Sequence, residues 1–378
     1  MSSRRLDASY VLPLRWVENG PVEDLTAYLR RLAERMEVIV VDGSAPHRFA
    51  DHHRAWAGVA VHVPPDPRFR YLNGKVNGVL TGIHCAGNEA VVVADDDVRY
   101  EWNALERVVA GLDRADVVRP QNYFSPLPWH ARWDTARILL NRVTGGDFPG
   151  TLAVRRSTLL RAGGYDGDVL FENLELMRTV EAGGGVVVHD PGCMVRRLPP
   201  TSRNFARQRV RQAYDEWARP ARMAAYLALL PSGAWLLARR RAAPLALAAL
   251  ATVMVAETGR RRAGGAHWFP PSSSLLAPAW VAERAVCSWL AVARRATGGC
   301  PYAGSRIVRA ATPVRDLRRA YSHSMVPGGF EVMSIATRFT PGTSAMMRLA
   351  RLSITSWGRR AQSAVMASSL TTARTTTG

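Results

Sequence analysis

Between residues 9 and 120, short apolar runs alternate with stretches of helical spacing, and few folds absorb that pattern. Tyr10-Val11-Leu12-Pro13-Leu14 reads as a strand. Glu37-Val38-Ile39-Val40-Val41 is a second run, mostly β-branched, that stops at Asp42-Gly43-Ser44. Val59 to Val63, Ala90-Val91-Val92-Val93-Ala94 and Asp116 to Pro120 supply three more. Between them, Leu25, Leu29, Leu32 and Met36 recur at helical spacing, and Lys75 to Ile83 and Asn103 to Leu112 also read as helices. Strands alternating with helices imply βαβ units and a mostly parallel α/β sheet. In such sheets ligands bind beyond the carboxyl ends of the strands. Asp42 and Asp95-Asp96-Asp97 both stand there.

Residues 121–200 are punctuated by Pro126, Pro128, Gly145-Gly146, Pro149-Gly150 and Gly163-Gly164. They read as acceptor-side loops with a short helix (Trp133 to Val143) and a second one (Phe171 to Ala182). Residues 203–220 form a polar, Arg- and Gln-rich amphipathic segment. Composition then shifts, and Met223 to Ala238, Ala242 to Ala256 and Leu275 to Ala293 are apolar. The first two fall short of the ~20 residues a spanning helix needs, and Pro231 and Pro244 interrupt them, so spanning, re-entrant and interfacial helices all fit. The expected layout is an α/β domain over 1–220 and a membrane-associated helical region over 221–311. A basic Ser/Thr-rich tail over 312–378, without periodicity, is expected to be disordered.

The formal charge of +19 is unevenly placed. Acidic residues thin out beyond Glu216, while Arg239-Arg240-Arg241 and Arg260-Arg261-Arg262 flank Ala- and Leu-rich segments. That arrangement suits an anionic membrane surface better than nucleic acid, which calls for basic and aromatic residues interleaved on one face. Four scattered cysteines (Cys85, Cys193, Cys287, Cys300) exclude a disulfide framework and a CxxC zinc site. The polar amino terminus carries no secretory signal, so the front half is expected on the cytoplasmic face of the cell membrane.

Three consecutive aspartates repel one another, and a divalent cation removes that cost. An all-carboxylate site suits Mg²⁺ or Mn²⁺, which would bridge the phosphates of a nucleotide diphosphate. The bland alternative is a solvated turn, less suited to a triplet that closes a Val-Val-Val-Ala strand. Asp42 is placed to accept hydrogen bonds from a base or ribose, or is an ordinary Asp-Gly turn. Lys75 is the only lysine in the chain, at a helix start beside Gly74, where an ammonium suits phosphate.

The order Val-Asp42-Gly-Ser, Gly74-Lys75, Asp95-Asp96-Asp97, Phe171-Glu172-Asn173-Leu-Glu175 and Gln208-Arg209-Val-Arg211 resembles the inverting family-2 glycosyltransferases of GT-A fold. More narrowly it is similar to the branch of ceramide glucosyltransferases and processive sugar synthases. The resemblance covers residues 9–220. It implies a nucleotide-sugar donor, with Asp95 and Asp97 at the metal and Asp42, Lys75, Asp96, Gln208 and Arg211 at the donor. It also implies a hydroxyl acceptor, lipid-linked or part of a cell-envelope glycan. Two departures stand out. Gln212 replaces the Trp that usually closes the Gln-x-x-Arg-Trp motif. Asn173 replaces the usual catalytic Asp, and a neutral amide cannot take up the acceptor's proton. Glu172 is the first candidate for the base, with Glu175, one helical turn on, and Asp147 as alternatives. Trp129, Trp133, Tyr123 and Phe124 are candidates for acceptor stacking or core packing. Rival readings are a catalytically inactive membrane-surface binder and a sugar-1-phosphate nucleotidylyltransferase. The latter calls for a Gly-rich phosphate loop where Pro13-Leu14-Arg15-Trp16 stands.

Overall fold

The structure, a computed structural model, describes residues 5–18 and 20–324. The chain begins β1 (Ala8–Leu14), α1 (Val22–Ala33), β2 (Glu37–Asp42), α2 (Pro46–Trp56), β3 (Val61–Val63) and α3 (Gly74–Cys85). It continues β4 (Ala90–Ala94), β5 (Val98–Arg99), α4 (Trp102–Gly111), β6 (Val117–Phe124), α5 (Trp129–Val143), β7 (Thr151–Arg155) and α6 (Arg156–Arg161). Next come α7 (Glu172–Ala182), β8 (Val187–Arg197) and α8 (Ser202–Tyr214). Last are α9 (Pro220–Ala238), α10 (Ala242–Arg261), α11 (Pro271–Leu275), α12 (Ala277–Ala296), the β9–β10 hairpin (Cys300–Tyr302, Ser305–Ile307) and α13 (Val314–Ser324).

Eight strands form one sheet in the order β3-β2-β1-β4-β7-β6-β8-β5. The first four run parallel, β7 runs against β4 and β6, and β8 is parallel to β6. This is the expected α/β sheet of GT-A type. Its side chains alternate between two cores. Tyr10, Leu12, Val38, Val40 and Val92 face Leu25, Leu29 and Leu32 of α1 and Leu105 and Val108 of α4. Val11, Ile39, Val41, Val91 and Val93 face Val76, Val79, Leu80 and Ile83 of α3 and Leu176 and Val180 of α7. Helix α3 lies close on the sheet because Gly82 is bare there; a Cβ would collide with the Val11 side chain.

Residues 121–200 are more regular than their glycines and prolines suggest. β7 is buried over Thr151–Val154 behind the turn at Gly150, and β8 carries Asp190-Pro191-Gly192 inside a strand. Pro120 sits where the β6–β8 register shifts, the place where a missing N–H does least harm to a ladder.

The apolar segments behave differently from one another. α12 is a packed helix, with Trp280, Arg284, Ala285, Ser288 and Ala291 buried against α5, α8 and α9. α9 and α10 are largely uncovered, exposing Leu229, Leu230, Trp235, Leu237, Leu247, Leu250 and Met254. By length and composition alone both could cross a membrane, with mean hydropathies of 1.2 and 1.5. The stretch expected to be disordered begins with α13, which docks through buried Leu317 and through Tyr321 over Gly183. The remainder of that tail lies outside the described residues.

Candidate active site

The parallel strands β1, β2 and β4 deliver Trp16, Asp42 and Asp95-Asp96-Asp97 to one edge of the sheet. The turn after β4 is held by Asp95 N–H donating to the Gly150 carbonyl at 2.9 Å. Gly150 has φ +73°, and a Cβ there would lie 2.5 Å from Asp95 Oδ2, so the acidic turn needs a glycine opposite it.

Asp95 Oδ1 lies 2.5 Å from Lys75 Nζ, which also reaches Glu172 Oε1 at 2.8 Å. The helix start that places Lys75 is capped by Asn73, whose side-chain oxygen accepts from Lys75 N–H at 3.2 Å and from Tyr302 Oη at 2.8 Å. Arg197, from the end of β8, lies 3.6 Å from Asp95 Oδ2 and donates to Asp97 Oδ2 at 2.8 Å. Trp16 Nε1 donates to Asp96 Oδ2 at 2.5 Å. Burial works against the Lys75 ammonium, but Asp95 and Glu172 outweigh it and hold its pKa above the ordinary lysine range. Glu172 is also buried, yet Lys75 and Arg211 pull its pKa below the usual value. Asp97 is pushed up to about 6 by burial, with Asp95 and Asp96 adding to the effect against Arg197.

These groups line a cleft of about 360 Å³ together with Asn173, Gln208, Arg211, Gln212 and Asp215. Phe148, Leu170, Phe171 and Tyr302 form its apolar wall, while Arg137, Asn141, Glu216, Arg219 and Arg284 lie in the same lining. That volume is of the size that holds a small ligand. The acidic turn passes one test for a cation: Asp97 Oδ1 is buried and has no hydrogen-bond partner. No three His, Cys, Asp or Glu side chains converge as a complete metal cage among the described residues. An ion held by one or two carboxylates and completed by substrate phosphates needs no such cage.

Lys75, Asp95, Asp96, Asp97, Glu172, Gln208 and Arg211 are thus brought to one cleft, and three other candidates are not. Asp42 is enclosed, its carboxylate accepting from His52 Nδ1 at 2.6 Å, His62 Nε2 at 3.2 Å and the Ser44 amide at 2.9 Å. Burial opposes its ionisation, and these bonds prevail and hold its pKa well below the carboxylate range. Glu175 turns away to accept from Thr312 N–H at 2.6 Å. Asp147 is buried against Arg137 at 2.6 Å and Asn141 at 2.9 Å. Neither lines the cleft.

The suggested stacking residues also lie elsewhere. Trp133 donates to Glu283 at 2.6 Å, Tyr123 packs on Trp268, Phe124 is core and Trp129 is exposed. Several cleft groups escape sequence reasoning. Arg197 and Tyr302 come from strands without a periodic signal. Asp215, raised to about 7 chiefly by burial, follows directly on the Gln208–Arg211 helix.

An acidic turn at the carboxyl edge of this sheet is thus faced by a lysine and by the helix that carries Gln208 and Arg211. In sequence, residues 21–163 match the family model described as Glycosyl transferase family 2. No curated protein matches the chain. Solved structures similar to it include the mannosyltransferase PcManGT from Pyrobaculum calidifontis in complex with GDP-Man and Mn²⁺. That pair is 20% identical over 75% of this chain and 87% of that chain, with a TM-score of 0.45. GalNAc-T7 with UDP, GalNAc and Mn²⁺ is 14% identical over 52% of this chain and 44% of that chain, with a TM-score of 0.34.

Proposed function

We propose that this glycosyltransferase transfers a sugar, with inversion, from a nucleotide diphosphate donor bound between the acidic turn and the Gln208–Arg211 helix. The observation that carries the reading is the alignment of Asp95, Asp97, Lys75 and Arg211 in one cleft. Asp95 and Asp97 would hold Mg²⁺ or Mn²⁺, which supplies charge neutralisation for the departing diphosphate. Lys75 and Arg211 bring positive charge to the same phosphates, and Gln208 offers an amide beside them. Asp42, enclosed by two imidazoles, fits a support for the base pocket rather than a surface the base touches. Trp16, tied to Asp96, lies on the same edge.

The exposed, apolar α9–α10 pair and its Arg239-Arg240-Arg241 turn support attachment to an anionic membrane, with the cleft on the cytoplasmic side and a lipid-linked acceptor. The membrane-attached branch of family 2 is the finer assignment this favours. The decisive experiment measures donor binding by thermal shift with Mn²⁺ and a set of UDP-, GDP- and dTDP-sugars. Asp97→Ala should lose both the Mn²⁺-dependent shift and transfer; a variant that keeps full activity would remove the metal assignment.

One observation favours a second reading, a fold that binds donor without turnover. Asn173 occupies the position of the usual base, and Glu172, Glu175 and Asp147 are each held by another group. Metal-dependent donor binding with no transfer to any acceptor would establish it.

A further inference from the structure

Asp215 follows α8 directly and lines the cleft one helical turn beyond Arg211. Its Oδ1 is buried and has no hydrogen-bond partner among the described residues. An enclosed carboxylate oxygen without a donor costs free energy, and a hydroxyl entering the cleft would be that donor. The next residue is placed differently. Glu216 lies 3.2 Å from Arg219 and 3.4 Å from Arg222, and its side chain is 4% exposed.

The other acids of the cleft are occupied. Asp95 faces Lys75 and Arg197, Asp97 faces Arg197, and Asp96 accepts from Trp16. Glu172 is held by Lys75 at 2.8 Å. Asn173, in the same lining, is a neutral amide and takes up no proton. The charges around Asp215 suit a proton acceptor. Burial raises its pKa, Glu172 and Glu216 add to that, and Arg211 and Arg284 oppose it, leaving it at about 7. Arg219 and Cys300 also sense its charge. A base works best with its pKa near the working pH, and an ordinary carboxylate near about 4 holds a proton too weakly.

We propose that Asp215 is the catalytic base, taking the proton from an acceptor hydroxyl that enters the cleft beside α8. The inference rests on the transferase reading and supplies the step that Asn173 cannot perform. A lone pair of the acceptor oxygen forms the bond to the anomeric carbon as its O–H proton passes to the Asp215 carboxylate. The bond from that carbon to the donor's β-phosphate oxygen breaks, and its electron pair leaves with the nucleoside diphosphate. Asp215 then loses the proton to solvent. Arg211 and Asp215 stand one turn apart, so one helix end would carry both a phosphate contact and the base.

The test uses the full chain in detergent with a donor selected by thermal shift and saturating Mn²⁺, which keeps Asp97 ionised as a ligand. Decanol and azide serve as acceptors: decanol must lose a proton to react, and azide is already an anion. Wild-type kcat/KM for decanol should rise with pH through a limb near 7. Asp215→Asn should lower kcat for decanol about 1,000-fold and remove that limb, with donor affinity unchanged. Azide should restore turnover to Asp215→Ala as glycosyl azide, at least about tenfold faster than the same variant glycosylates decanol. Arg284→Met leaves Asp215 in place and should move the limb to higher pH, because a cation that opposes the raised pKa is gone.

Decanol kinetics in Asp215→Asn within about threefold of wild type overturn the inference, as does a limb that survives in that variant. A wild-type limb that Arg284→Met does not move also overturns it. Equal losses with decanol and azide mark a structural role and overturn it too. Donor binding with no transfer to decanol or to water overturns it and leaves the binding-only reading. Absence of donor binding overturns the transferase reading itself.

Discussion

Arg209 joins three helices, and its removal has a calculable effect. It donates from Nη1 to Asp134 of α5 at 3.0 Å, and from Nε and Nη2 to Glu283 of α12 at 2.7 and 3.1 Å. It also lies 4.5 Å over the Phe205 ring and is 7% exposed. Breaking a fully buried ion pair by removing one partner costs roughly 3–5 kcal/mol. Two features reduce the figure here. Asp134 keeps Arg137, and Glu283, whose side chain is 24% exposed, keeps the Trp133 indole N–H. Arg209→Met should therefore cost about 2–3 kcal/mol, which lowers the melting temperature by about 4–6 °C in a domain of this size. Urea unfolding of wild type, Arg209→Met, Glu283→Gln and the double variant gives the coupling directly, with about 1–2 kcal/mol expected between the two sites. A single-variant loss below about 0.5 kcal/mol, in the range of a surface change, would refute the claim that this arginine ties α8 to α12.

Other consequences can be measured separately. The His189 imidazole is held down to about 4 by burial, with Arg119, Arg142 and Arg262 adding to the effect. Its folded pKa thus lies below the unfolded value, and the unfolded chain binds more protons between pH 6.5 and 4. Stability present above pH 6.5 should fall by up to about 3 kcal/mol as pH drops to 4, and His189→Asn should flatten that part of a urea-unfolding series. Lys75 is the only lysine, and its ammonium is held protonated by two carboxylates. An amine-reactive ester at pH 8 should modify the amino terminus and spare Lys75, and Glu172→Gln should speed Lys75 labelling, as read by peptide mass spectrometry. Gly150→Ala places a Cβ against Asp95 at a positive φ. It should cost about 1–3 kcal/mol and weaken Mn²⁺-dependent donor binding at least tenfold, measured by calorimetry.

The parallel half of the sheet is legible because its strands are buried on both faces and so read as unbroken Val and Ile runs. The acidic turn is legible because three carboxylates close such a run. The antiparallel half is hidden: β8 contains Asp190-Pro191-Gly192, which spells a turn, and only its pairing with β6 reveals a strand. Helix α2 is hidden because its eleven residues bury only His52 and Trp56, too few for a periodic signal. Candidate bases could be named but not their partners. Asp147 meets Arg137 and Glu175 meets Thr312 only after folding. Arg284 reads along the chain as a blemish in an apolar segment, and only the fold shows that it lines the cleft.

The turn Arg239-Arg240-Arg241 between α9 and α10 has a mechanical consequence. Guanidinium groups resist the hydrocarbon interior and settle among lipid phosphates. α9 has 19 residues, so it is about 28 Å long. Its base follows directly on Asp215–Ala218, whose first two residues line the cleft. In the membrane-attached state proposed above, α9, which continues as one helix through Pro231, would link the depth at which the arginines rest to the height at which the cleft rides. Inserting or deleting one turn, about 5.4 Å, would move the cleft by that distance without altering any residue in it. The length of α9 would then select among acceptors by how far their reactive ends stand from the bilayer.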